Sequence, residues 1–134
     1  MNLYKQYKTN AQEEKDGIIM DHGDGTKFMV ARAGGANKRY SRALRKLTLP
    51  HRRAIQTETI SDAKAREIQI DAFIAACLRG WEGVSDAEGN KLECTPENAK
   101  KLFTDLPDLF DILNEDAAKA SLYREASLEE DAKN

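Results

Sequence analysis

Two apolar stripes at helical spacing constrain this chain more than any other feature. Ile70, Phe73, Ile74, Cys77 and Leu78 fall at i, i+3, i+4, i+7 and i+8. Leu106, Leu109, Phe110, Leu113 and Ala117 repeat the pattern at i, i+3, i+4, i+7 and i+11. Each stripe must be covered by another apolar surface. The first predicts a long helix over about 52–79, weakly apolar from Thr57 to Arg66, where it either kinks or starts anew with Thr59 or Ser61 as a cap. Arg79 suits its C-terminal dipole and Gly80 its stop.

The rest of the chain punctuates itself. Ile18-Ile19-Met20 and Phe28-Met29-Val30-Ala31 flank Asp21-His22-Gly23-Asp24-Gly25-Thr26, which predicts a β-hairpin. Two strands alone are marginal in water, so the hairpin must dock on helices or pair with another chain. Asn37 is the expected cap of a helix with Tyr40, Leu44 and Leu47 on one face and Arg39, Arg42 and Lys46 on another. Trp81 is expected as a core anchor leading a turn-rich connector to Leu92. Thr95-Pro96 opens a short helix bearing Ala99, Leu102 and Phe103, and Thr104 or Asp105 caps the last one.

The expected fold is therefore α+β and mostly α, a small N-terminal hairpin packed with about four helices. The expected division is a flexible lead-in over 1–16 (with Leu3, Tyr4 and Tyr7 able to dock), one globular domain over 17–126, and a fraying acidic tail over 127–134. At 134 residues the chain can build one core without disulfides or metal. Two cysteines, Cys77 and Cys94, with no CxxC spacing suit a reducing compartment, Cys77 as a buried small hydrophobe. No apolar run reaches the ~18 residues of a membrane span, and the polar start lacks the apolar region of a secretory signal.

A net charge of −2 conceals a split: +6 over residues 1–80 and −8 over 81–134. No acid occurs between Gly25 and Thr57, whereas Lys27, Arg32, Lys38, Arg39, Arg42, Arg45, Lys46, Arg52 and Arg53 all do. Such polarity predicts a partner surface or an intramolecular match. Nucleic acid is the less favoured partner. Tyr40 is the lone aromatic within 32–53 and sits on an apolar stripe, so base stacking has no platform.

Chemistry finds little purchase. His22 and His51 have no Ser, Cys or carboxylate at a telling spacing, so no enzymatic activity is expected. Asp21, His22 and Asp24 suggest a metal loop, but counting from Asp21 puts Arg32 where a calcium loop needs Glu. The glycines make neither GxGxxG nor a phosphate-binding loop. No cofactor or metal is expected.

The order of parts is itself informative. A hairpin, a basic helix and a long helix ending in Gly80-Trp81 precede Gly83-Val84-x-Asp86-x-x-Gly89, Thr95-Pro96-Glu97-Asn98 and Leu106-Pro107-Asp108-Leu109, with a close in Ala132-Lys133-Asn134. From about Ile18 to Asn134 the chain resembles the small tail assembly chaperones of long-tailed bacteriophages. The resemblance implies a non-enzymatic protein of the host cytoplasm that is absent from the virion. It would keep the helical tape measure protein soluble until the tail tube polymerises around it. It also implies a longer product made by −1 frameshifting, whose extension recruits the tail tube protein. Ala132-Lys133-Asn134 permits the codons GCA AAA AAC, which contain the slippery heptamer A AAA AAC.

On this reading the partner surface is expected on Arg39, Arg42 and Lys46 and on any exposed part of the Leu106–Leu113 stripe, where Leu109, Phe110 and Leu113 are expected first as core and second as a partner groove. The hairpin edge and the charge split also predict self-association as a dimer, ring or spiral. Competing expectations are a structural tail or head-completion component, and a nucleic-acid-binding accessory protein using residues 27–53.

Overall fold

The computed structural model describes residues 1–124. The fold is α+β, with the N-terminal hairpin in place. Strands β1 (Ile18–Gly23) and β2 (Thr26–Val30) pair antiparallel. The connecting residues Asp24 and Gly25 both have positive φ, 53° and 79°. That is the type I′ geometry which matches the twist of paired strands, and Asp-Gly is a preferred sequence for it. His22 is an extra residue between the paired positions Asp21 and Gly23, a bulge in which the Asp21 carboxylate accepts from the Gly23 N–H at 2.8 Å.

A third strand was not expected. The helix through Phe73 ends at Ala76, and β3 (Leu78–Glu82) pairs antiparallel with β2, giving the order β1-β2-β3. Gly80 is thus a strand residue and not the helix stop. Phe28 lies opposite Trp81 and Val30 opposite Leu78. Gly83 then passes so close to the hairpin turn that a Cβ there would lie 2.3 Å from the Gly25 carbonyl oxygen.

The expected long helix is two. α4 (Arg52–Gln56) stops where Glu58 adopts φ 56°, and α5 (Asp62–Ala76) restarts with Ser61 accepting from the Lys64 N–H at 3.1 Å. α3 (Lys38–Thr48) precedes α4 through a 3₁₀ turn at Leu49–His51 containing Pro50. Asn37 does not cap α3 with its side chain. It is buried instead, and its Nδ2 donates to Arg32 O at 2.8 Å and Ala76 O at 2.9 Å. Arg79 Nη1 donates to the same Ala76 carbonyl at 2.9 Å, so two side chains satisfy the C-terminus of α5. α6 (Pro96–Asp105) is capped by Thr95, which accepts from the Asn98 N–H. The cap position of α7 (Pro107–Ala117) is Leu106, not Thr104 or Asp105. Pro107 starts the helix without a side-chain cap.

The segment 1–16, expected as a flexible lead-in, folds into α1 (Leu3–Tyr7) and α2 (Ala11–Asp16). Asn2 and Asn10 cap them, each accepting from backbone N–H groups one turn in, a local signal missed in a polar stretch. Leu3, Tyr4 and Tyr7 remain exposed. α2 earns its place through Glu14, a buried carboxylate that accepts from the Arg32 guanidinium and from Thr9 Oγ1 at 3.0 Å. The tail expected over 127–134 lies outside the described residues.

The core joins the sheet to α5, α6 and α7. Phe73, Phe103 and Phe110 form a closed aromatic trio, with centroids 5.6–5.7 Å apart. Trp81 stands edge-on to Phe28 and donates from Nε1 to Leu92 O at 2.8 Å, which pins the connector. Tyr123, in a 3₁₀ turn at Ala120–Tyr123, is fully buried and donates to Val30 O at 2.9 Å. Its own carbonyl accepts from the Asn10 N–H at 2.7 Å, fastening the end of the described chain to both the sheet and α2.

Candidate partner-binding surface

α5 carries α3 on one flank and α6 on another, and α7 continues beyond α6. α3 therefore rests on α5, and α4 follows it with no buried residue in either. Tyr40, Leu44 and Leu47 of α3 are half-buried. The charged positions have no such cover. Lys38, Arg39, Arg42, Arg45, Lys46, Arg52 and Arg53 are all exposed, and none forms an ion pair among the described residues. Arg39 alone of the three expected site cations is tied back, by a long 3.5 Å bond to Ala75 O.

Apolar groups stand among these charges. Leu49 is 62% exposed and Ile55 40%. With Arg45, Thr48, Arg52 and Gln56 they line an open cleft of about 440 Å³ where α3 turns into α4. Sequence reasoning placed Leu49 and Ile55 nowhere. The missed signal is an isolated apolar residue on each side of Pro50, inside an acid-free stretch.

The second candidate patch divides: its middle is core, as the first expectation for these residues has it, and not a partner groove. Phe110 and Leu113 are fully buried in the core and Leu109 is half-buried. Phe110 touches Phe73 and Phe103, which leaves it no face for a partner. Leu106 and Ile112 are the exposed large apolar side chains of this stretch, each 49% exposed.

The cation of another concavity is matched within the chain. The cleft between α5 and α6 is bordered by Asp71 and Lys100, which pair with each other at 3.1 Å, and Lys100 also reaches Glu67 at 3.6 Å. Their charges are answered within the chain, in contrast to the α3–α4 cations.

The groups with nucleophilic or ligating chemistry are dispersed. His22 sits on the hairpin with its ring edge-on to Phe28, and His51 lies in the 3₁₀ turn. No group of three or more His, Cys, Asp or Glu placed to hold a metal occurs among the described residues. Among them too, no helix is long and apolar enough to cross a membrane. Cys77 is buried at the end of α5, and loss of water there pushes its thiol up to about 12. Cys94 is exposed in the connector. The native protein is therefore expected to react rapidly with a thiol-specific dye at Cys94 alone, and at Cys77 only after denaturant is added. Rapid native labelling of both would contradict the burial of Cys77.

With this geometry in view, comparison with known proteins gives one family. Residues 35–134 match the model of the YdaY prophage protein family. The chain belongs to that family. No curated protein and no solved structure matches it. The matched span begins at Gly35, just before α3, and so takes in the cationic arm, α5 to α7 and the connector. Membership in the YdaY prophage family makes this a phage-related protein. The hairpin of β1 and β2 lies outside the match.

Proposed function

We propose that this phage-related protein is a tail assembly chaperone that binds the tape measure protein and keeps it soluble while the tail is built. The observation that carries the reading is the unmatched α3–α4 arm. Seven exposed cations and two exposed apolar side chains stand on α3, α4 and the 3₁₀ turn between them, and of these elements α3 rests on α5. A face of this kind is suited to docking, not to chemistry. The prophage family match is in keeping with a phage role, and the chaperone role rests on the resemblance of the Trp81–Gly89 and Pro96–Leu109 stretches to tail chaperones. The protein acts by binding, without catalysis or cofactor, in the host cytoplasm. The tail tube protein is met through a frameshifted extension, and self-association is a further expected property.

The same cations favour one second reading, an accessory protein on nucleic acid. Tyr40, half-buried against α5, offers bases no platform, which weighs against it.

The decisive experiment is an in-frame deletion in the inducible prophage, with mass spectrometry of wild-type particles. A chaperone is expected to be required for tails yet missing from purified particles. Stoichiometric recovery in the particle would make it a structural tail or head-completion component instead.

A further inference from the structure

We infer that the cleft between α3 and α4 is the seat of an acidic amphipathic helix of the partner, an inference that rests on the tape measure reading above. Complementarity selects the occupant. The cleft is lined by the apolar side chains of Leu49 and Ile55 together with the cations Arg45 and Arg52. Arg42, Lys46 and Arg53 extend the positive surface along the same two helices. No acid of the sequence between Gly25 and Thr57 neutralises it.

An occupant must therefore satisfy two demands at once. It must bury apolar groups against Leu49 and Ile55, and it must bring carboxylates to Arg45 and Arg52. A helix with apolar residues at i, i+3, i+4 and i+7 flanked by Asp and Glu does both. A nucleic acid backbone meets the second demand and fails the first, since it leaves Leu49 and Ile55 against charged phosphate. A neutral amphipathic helix meets the first and leaves the arginines unanswered.

The α5–α6 cleft is a built-in contrast. Its one lining cation, Lys100, already pairs with Asp71 and Glu67, and Glu97 adds a further acid, so it exerts no comparable selection for acid.

The test uses the full chain and overlapping labelled peptides covering the tape measure protein, read by fluorescence anisotropy at low and high salt. Three variants are compared with wild type: Arg45→Glu/Arg52→Glu, Leu49→Ser/Ile55→Ser, and Lys101→Glu as a charge control on α6. All positions but the half-exposed Ile55 are well exposed, so folding is expected to persist and is checked by circular dichroism.

The expected result is that the tightest peptides are acidic and amphipathic. Their affinity should fall by about tenfold or more in the arginine variant, where like charges now face each other. It should also fall in the serine variant and hold in Lys101→Glu. Acid-poor tight binders, or equal binding by all variants while the whole tape measure protein is still retained, would overturn this inference and leave the chaperone reading standing. If the whole tape measure protein is not retained by wild type, the chaperone reading falls and this one with it. Steeply salt-dependent binding to a duplex DNA oligonucleotide, lost in the arginine variant while peptide binding persists, would assign the arm to nucleic acid and overturn the inference.

Discussion

Phe110→Ala is expected to destabilise the protein by about 3–5 kcal/mol, the usual cost of truncating a buried phenylalanine. Phe110 has no solvent exposure and stands 5.6 Å from both Phe73 and Phe103. Its loss opens a cavity among α5, α6 and α7 that none of the three helices can close alone. Urea unfolding followed through the single tryptophan, Trp81, measures the effect. The outcome also separates core from interface. A residue that served a partner would leave stability nearly unchanged and lower binding, whereas Phe110→Ala should do the reverse at any concentration where the fold survives.

The second large effect is expected at Glu14. Glu14→Ala removes the carboxylate that accepts from Arg32, from Thr9 Oγ1 and, at 3.4 Å, from the Ala36 N–H. Breaking a buried pair by deleting one partner leaves the other charge uncompensated. The Arg32 side chain keeps 20% of its surface in water, which softens the cost to about 2–4 kcal/mol. Glu14→Leu/Arg32→Leu should recover much of the loss, because then no charge is stranded. The same site explains Gly35. With φ 54°, it lies where a Cβ would come within 2.1 Å of a Glu14 carboxylate oxygen, so only glycine lets the 33–36 loop close over the pair.

The elements legible in the sequence are those whose signal is local. Asp24-Gly25 specifies a hairpin turn through backbone conformation alone. Ser61 and Thr95 announce helix starts by side chains that reach one turn ahead. β3 was hidden because Cys77 and Leu78 continue a helical apolar stripe, and what ends the helix is distant. The open edge of β2 recruits residues 78–82, which no spacing within them reveals. Tyr123 was hidden in the same way, since its value lies in a carbonyl on β2, far off in sequence.

The candidate site divides along the same line. Arg39, Arg42 and Lys46 were legible because charge at helical spacing without local acids has to face water or a partner. Phe110 and Leu113 read as core first and groove second because core and groove draw on one set of apolar residues, and the packing of α7 on α6 decides for core. Leu49 and Ile55 escaped notice because neither belongs to a periodic stripe. Their exposure comes from the turn at Pro50, which swings α4 clear of the core. Asn37 reads as a helix cap from its position, yet burial gave it two carbonyls to satisfy instead.

The measurement that bears most directly on the account is co-expression of this chain with the tape measure protein, followed by separation of soluble from aggregated material and affinity purification. The account predicts that the tape measure protein is soluble and co-purifies with the wild-type chain. Both properties are expected to be lost with Arg45→Glu/Arg52→Glu once circular dichroism has shown its fold to persist. A tape measure protein equally soluble without this chain, and not retained by it, would contradict the account.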